Sequence, residues 1–302
     1  MSRSLGKYFL EELKNGYLNP LLEFVKQDDT LFFAIRDNCV NLYYRGGNLL
    51  KVKMKPDGGY EATFDTNYFL HGNVTLPESI FFDKATVEKW VNLFPRLKHE
   101  MDVYFATYKK PEREFQQLVA RENSRSTISN STDYFIVDIE YAEPKINARF
   151  DMIAIKWLSK GAIRKNGDSC RLALIEMKYG DAALTGNAGL KKHIKDIEKM
   201  DLKKMDIIKN EAVNIFEQLC ELKLIQFSEG GNSNQIKTLT NMLPEFIFLL
   251  ANHDPESTIL KEEVKQINPL SNAELKFATA SFMGYGLFEN DIISLNDFKR
   301  HL

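Results

Sequence analysis

Three segments between Asp133 and Tyr179 constrain this chain most: DYFIVDIEYA, ARFDMIAIKW and RLALIEMKY. Each is rich in β-branched and aromatic residues and bounded by polar turns, so each predicts a strand. A short turn at 143–146 joins the first two, and a longer polar connection containing Lys165-Asn166-Gly167-Asp168 joins the second and third. Side chains alternate along a strand, so Glu176 and Lys178 share one face while Ala173, Ile175, Met177 and Tyr179 take the other. A neighbouring strand through Asp151 brings a second carboxylate to the same end. Beyond it, Leu190, Ile194, Ile197, Met205, Ile208, Ala212, Phe216 and Leu219 recur at helical spacing, predicting one long helical stretch from Gly189 to about Leu224.

Upstream, residues 5–27 read as two short helices broken around Asn15-Gly16 and Asn19-Pro20. TLFFAIR, CVNLYYR, NLLKVKMK and YEATFDT then form a β-meander, with turn residues at Gly46-Gly47-Asn48 and Pro56-Asp57-Gly58-Gly59. The helical segment KATVEKWVNLFPRLKHEMDVYFATY follows, which Pro95 is expected to interrupt or kink. Pro111 opens another helix, PEREFQQLVAREN. A boundary near Lys110 separates an N-terminal helical and β-meander region, 1–110, from a second domain, 111–302. From Pro111 the order is helix, three strands, helix, then the strand EFIFLLANHD. The tail adds a helix near Glu256 to Gln266, the strand LKFATASFMGYGLF and a final helix. The expected class is α/β with a mixed α+β sheet.

With 302 residues, 44% of them hydrophobic, the chain can bury a substantial core. Its formal charge of −2 supplies no global basic field, so a surface for nucleic acid must be local. One such stretch is 160–209, with twelve Lys and Arg against seven Asp and Glu. Cys39, Cys170 and Cys220 are odd in number and lack CxxC spacing, which argues against a disulfide framework or zinc ribbon and for a reducing compartment. The N-terminus has no signal-peptide pattern, and the apolar run Phe246 to Ala251 is too short to cross a bilayer. A cytoplasmic protein without a membrane partner is expected.

Two carboxylates and an ammonium at the ends of paired strands suit phosphodiester hydrolysis. The carboxylates offer hard oxygen donors for Mg²⁺ or Mn²⁺, and the cation orients or activates water. No His/Cys cluster favours zinc. An E-x-K triplet alone carries little weight, since others begin at Glu12, Glu143, Glu221, Glu263 and Glu274. Glu176 alone combines a strand, an upstream strand Asp and a downstream basic helix. The bland alternative is a strand-end salt-bridge cluster. A tight turn at 143–146 further sets Asp138 opposite Asp151 and Glu140 opposite Arg149.

This combination resembles the PD-(D/E)XK nuclease superfamily, whose restriction-endonuclease-like core runs α-β-β-β-α-β; the resemblance covers roughly the last two thirds of the chain. It implies that Asp151 and Glu176 bind Mg²⁺ or Mn²⁺ with the Met177 carbonyl, and that Lys178 assists the nucleophilic water. It adds an acidic residue from the first core helix, Glu114 with Glu122 as the alternative, and His193 from the helix after the E-x-K strand. Lys191, Lys192 and Lys195 would contact the nucleic-acid backbone. Phe150 stands where the proline of the motif name would be. The implied protein is a metal-dependent nuclease acting on DNA, with the N-terminal region selecting substrate or forming a homodimer. The alternative is a catalytically inactive nuclease fold that binds nucleic acid or protein, within a defence or repair assembly.

Overall fold

The computed structural model describes residues 3–71, 74–143, 148–166, 170–225, 236, 238–253, 257–280, 287, 289 and 292–301. The SEGGNSNQ loop, Gly167-Asp168, Asp254 and the middle of LKFATASFMGYGLF lie outside the described residues. The chain divides into two compact units, residues 1–117 with 218–226, and residues 118–217 with 227–302. Mixed α and β structure is present, with one sheet in each unit.

In the first unit, α1 (Lys7–Lys14) and α2 (Asn19–Gln27) precede an antiparallel meander. Its strands are β1 (Leu31–Arg36), β2 (Cys39–Tyr44), β3 (Gly47–Met54), β4 (Tyr60–Thr63) and β5 (Ile80–Phe81), in spatial order β1-β2-β3-β4-β5. The β2–β3 turn is Arg45-Gly46, both at positive φ, which is the two-residue hairpin that matches strand twist. Gly47 therefore opens β3 instead of sitting in the turn. There a Cβ would come within 2.6 Å of the Tyr68 hydroxyl and 2.8 Å of Met101 and Phe105.

Asp83 caps α3 (Lys84–Thr107) by accepting from the Thr86 N–H. This helix runs through Pro95 without a break, contrary to the expected interruption. Its buried face, including Trp90, Phe94, Leu97 and Met101, holds it across the lost backbone hydrogen bond. The division between units falls inside α4 (Pro111–Glu122) rather than at Lys110. Glu114 pairs with Arg45, and the Gln117 amide accepts from Gly46 N–H and donates to the carbonyls of Thr30 and Tyr43. Gln218 similarly binds both backbone groups of Leu5, so the end of a later helix belongs to this unit.

The second unit contains β6 (Tyr134–Glu143), β7 (Ala148–Lys156), β8 (Arg171–Tyr179), β9 (Glu245–Ala251), β10 (Glu274–Ala280) and β11 (Ile293–Ser294). Their order is β11-β10-β9-β8-β7-β6; β6, β7 and β8 are antiparallel, β8, β9 and β10 parallel, and β11 antiparallel at the edge. All of β9 and all of β8 except Tyr179 are buried, so these strands lack the polar alternation of a one-sided sheet. Short α5 (Gly161–Asn166) precedes β8; α8 (Thr258–Lys265) and α9 (Leu295–His301) complete the described helices.

The predicted long helix is two, α6 (Leu190–Glu198) and α7 (Leu202–Glu221). Asn272 donates to the carbonyls of Ile197 and Met200 at the end of α6, while Asp201 accepts from the Lys204 N–H at the start of α7. The break is thus stabilised by capping that the periodicity of apolar residues does not report. Phe216 of α7 packs edge-on against Phe135 and Trp157.

The β6–β7 register also differs from expectation. Asp138 pairs with Ile153 instead of Asp151, and Ala142 instead of Glu140 pairs with Arg149. The hairpin closes at Glu143↔Ala148, one residue wider than a tight turn on each side would allow, and Glu140 takes a positive φ. Neither the Asp138–Asp151 nor the Glu140–Arg149 cross-strand pair exists.

At the other end of the sheet, the Glu245 carboxylate is fully buried and receives three cations, Lys276 at 2.7 Å, Lys156 at 3.0 Å and Arg171 at 3.3 Å. Tyr134 donates to its second oxygen at 2.6 Å. Burial alone would raise the Glu245 pKa, but hydrogen bonds from Lys276 and Tyr134 and the charges of Lys276 and Lys156 hold it below the usual carboxylate value.

Candidate active site

The site forms where two strands part. Pairing of β7 with β8 ends at Met152↔Ile175, whereas β8 stays paired with β9 as far as Tyr179↔Ala251. Glu176, Met177 and Lys178 therefore lie on a strand held from one side only. Asp151 fills the vacated edge: its Oδ2 accepts the Met177 N–H at 2.8 Å, replacing a backbone carbonyl that a continuing β7 would have supplied.

Glu176 and Lys178, two apart on β8, meet as strand alternation requires. Lys178 Nζ donates to Glu176 Oε1 at 2.8 Å, and both residues are about 95% buried, with relative exposures of 4% and 5%. A pair so far from water gains strength from its surroundings but leaves a large penalty if either partner is lost.

His193 reaches this pair from the first turn of α6. Its Nε2 lies 3.0 Å from Glu176 Oε1 and 3.1 Å from Lys178 Nζ. Gly189 sets the start of that helix. A Cβ there would stand 2.5 Å from the Leu184 carbonyl oxygen, so the tight approach of the preceding loop excludes a side chain. Burial, and next the Lys178 charge, lower the His193 pKa to about 4, against weaker opposition from the Asp196 charge and the Ala188 backbone. The imidazole is neutral at physiological pH. Which ring nitrogen carries the proton decides whether Nε2 donates to Glu176 or accepts from Lys178.

No known family, curated protein or solved structure matches this chain.

Among the remaining residues singled out from the sequence, Glu114 lies in the first unit in its pair with Arg45, which also binds Asp102 at 2.9 Å. Lys191 is committed to α8, donating to Glu263 at 3.1 Å and Gln266 at 2.8 Å. Lys192 pairs with Asp196 one turn on, and Lys195 is exposed near the end of α6. The structure thus brings Asp151, Glu176, Met177, Lys178 and His193 into one neighbourhood, and gives Lys191 and Lys192 partners within the protein.

Arg149 and Phe150 escape the sequence argument. Phe150 would take the face opposite Asp151 on a regular strand, yet it shares a cleft with His193 and Phe246. The adjacency of Arg149 to Asp151 was the available signal.

As donors for a divalent cation, Asp151, Glu176 and the Met177 carbonyl are all hard oxygens on neighbouring backbone. Among the described residues no group of three or more His, Cys, Asp or Glu side chains assembles around a metal position. Two carboxylates completed by water and substrate suit Mg²⁺, which keeps much of its hydration. The donor chemistry fits that ion.

Proposed function

We propose that this chain is a metal-dependent nuclease of the PD-(D/E)XK kind, hydrolysing phosphodiester bonds in nucleic acid, with DNA the first substrate to test. The observation that carries the reading is that Asp151 binds the Met177 N–H between the paired side chains of Glu176 and Lys178, at the point where β7 leaves β8. The succession α4-β6-β7-α5-β8-α6-α7-β9, with short α5 as an insertion before the third strand, supports a restriction-endonuclease-like core.

Asp151, Glu176 and the Met177 carbonyl would hold Mg²⁺ or Mn²⁺. Bound there, the ion would polarise the phosphoryl group and acidify water. Lys178 would donate a hydrogen bond to the attacking water or to a phosphate oxygen. Glu176 and the neutral His193 fix its ammonium in position, so the cation is oriented before substrate arrives. A cation of this kind contributes most when water is excluded, and Lys178 is 4% exposed. Cys39, Cys170 and Cys220 are not bridged to one another, which accords with a reducing, cytoplasmic setting. Among the described residues no helix is long and apolar enough to cross a membrane.

The test compares wild type with Lys178→Ala and Glu176→Gln on supercoiled, linear duplex and single-stranded DNA and on RNA, with Mg²⁺, Mn²⁺ or EDTA. Cleavage by wild type that requires metal and falls by about a hundredfold or more in both variants is expected. The closed Glu176–Lys178–His193 cluster also favours a second reading, a nuclease fold that binds without cutting. Salt-sensitive DNA binding with no cleavage on any substrate would select it.

A further inference from the structure

Beside the cluster lies a cleft of about 350 Å³ whose walls come from β7, the turn before α6, α6 itself and β9. His193 joins it to the site, lining the cleft while its ring touches Glu176 and Lys178. Arg149 belongs to the same wall and stands two residues before Asp151 on β7, a separation of about 6.5 Å along a strand. A group held by Arg149 therefore lies one short step from the phosphate assigned above to Asp151, Glu176 and Lys178.

The apolar members of the wall are closed off. Phe150, Phe246 and Met200 are 6%, 1% and 6% exposed, so they offer a ligand neither a ring face nor a hydrophobic seat. What the cleft offers is charge. Lys192 and Asp196 form an ion pair, and His193 is neutral at physiological pH. Arg149 is exposed, and no carboxylate among the described residues holds it in an ion pair. Arg149 and Lys192 against Asp196 leave the lining one positive charge in excess, the complement of one phosphodiester. The exposed Asn187 adds an amide that can donate to a further oxygen.

The α6 lysines fit that task less well. Lys191 directs its ammonium to Glu263 and Gln266, Lys192 is held by Asp196, and Lys195 is not part of the cleft wall. Arginine also has the better geometry, since its planar fork can give two parallel hydrogen bonds to one phosphate.

We infer that Arg149 grips the phosphodiester next to the scissile one, in a cleft that holds backbone and is blind to base identity. This rests on the nuclease reading and deepens it, by naming the residue that fixes the register of the nucleic-acid strand on the site. Contacts of this kind position a strand without reading its sequence.

The experiment measures binding of two DNA duplexes of unrelated sequence, and of their single strands, by fluorescence anisotropy in EDTA over a series of salt concentrations. Arg149→Ala is expected to weaken binding about tenfold, by the same factor for both sequences, and to reduce the slope of log affinity against log salt by about 1. Arg149→Lys keeps the charge and should retain the slope while losing part of the affinity. Lys191→Ala, which removes a lysine committed within the protein, should leave the slope unchanged. Arg149 is exposed, so its variants should melt with wild type. An unchanged slope in Arg149→Ala would overturn the inference, as would a loss confined to one sequence. Because neither metal nor cleavage enters, the two readings fail separately. Arg149-dependent binding by a protein that cuts nothing with Mg²⁺ or Mn²⁺ removes the nuclease assignment, whereas metal-dependent cutting with binding indifferent to Arg149 removes only the phosphate seat.

Discussion

Removing the Glu245 carboxylate tests how the second unit is held together. In Glu245→Gln the side chain keeps its size and still accepts from Tyr134, but Lys276, Lys156 and Arg171 lose the anion they share. Their side chains are 17%, 12% and 7% exposed, so water cannot replace it fully. Glu274 and Glu289, which also bind Arg171 and Lys156, are about half exposed and compensate only weakly. Breaking a buried ion pair from one side costs about 3–5 kcal/mol, a large share of the roughly 5–15 kcal/mol that holds a domain. Urea unfolding followed by Trp157 fluorescence in a Trp90→Phe background reports on the second unit alone. The expected result is a midpoint lowered by that energy at unchanged slope. Glu289→Gln, on the exposed side of the network, should cost about 1 kcal/mol or less. The pH dependence follows from the lowered Glu245 pKa. Its contribution is complete above the unfolded carboxyl value and is lost as pH falls through the lower folded value, so the acid side of the stability profile should flatten in the Gln variant. A loss below about 1 kcal/mol for Glu245→Gln would refute the view that this anion organises the three cations.

The other expectations concern the candidate site. Asp151→Asn keeps an acceptor for the Met177 N–H and should leave the melting temperature within a few degrees of wild type while cutting metal-dependent cleavage by about a hundredfold; a variant that cleaves normally would remove Asp151 from the site. His193 should stay neutral down to about pH 4 in an NMR titration of its ring. A pKa depressed below the unfolded histidine value favours folding above about pH 6.5 and withdraws that support as pH falls toward 4, so a ring titrating near 6.5 would contradict the burial described. Gly189→Ala puts a Cβ against the Leu184 carbonyl and should destabilise the second unit by about 1–3 kcal/mol, read by urea unfolding, with normal stability showing that the loop yields.

What the sequence discloses here is local. The strands from Asp133 to Tyr179 are visible because burial on one or both faces dictates their residues, and the i,i+2 spacing of Glu176 and Lys178 suffices to place them together. The β6–β7 register is hidden, because it depends on the width of one turn and on an irregularity between Ile136 and Asp138. The break between α6 and α7 depends on Asn272, far along the chain from the carbonyls it caps. Pro95 signals a break that the buried face of α3 overrides. Glu114 finds Arg45 and Glu245 finds Lys156 through tertiary geometry, which no spacing rule encodes.

The two carboxylates of the site are fastened differently. Glu176 rides on β8, which is laced to β9 from Ala173 to Tyr179 and cannot shift without disturbing the centre of the sheet. Asp151 sits just past the last rung joining β7 to β8, reaches across to the Met177 N–H, and is carried by a strand still paired with β6. Glu176 is thus set by the centre of the sheet and Asp151 by the β6–β7 hairpin, so the distance between the two carboxylates follows how the hairpin lies against the central strands.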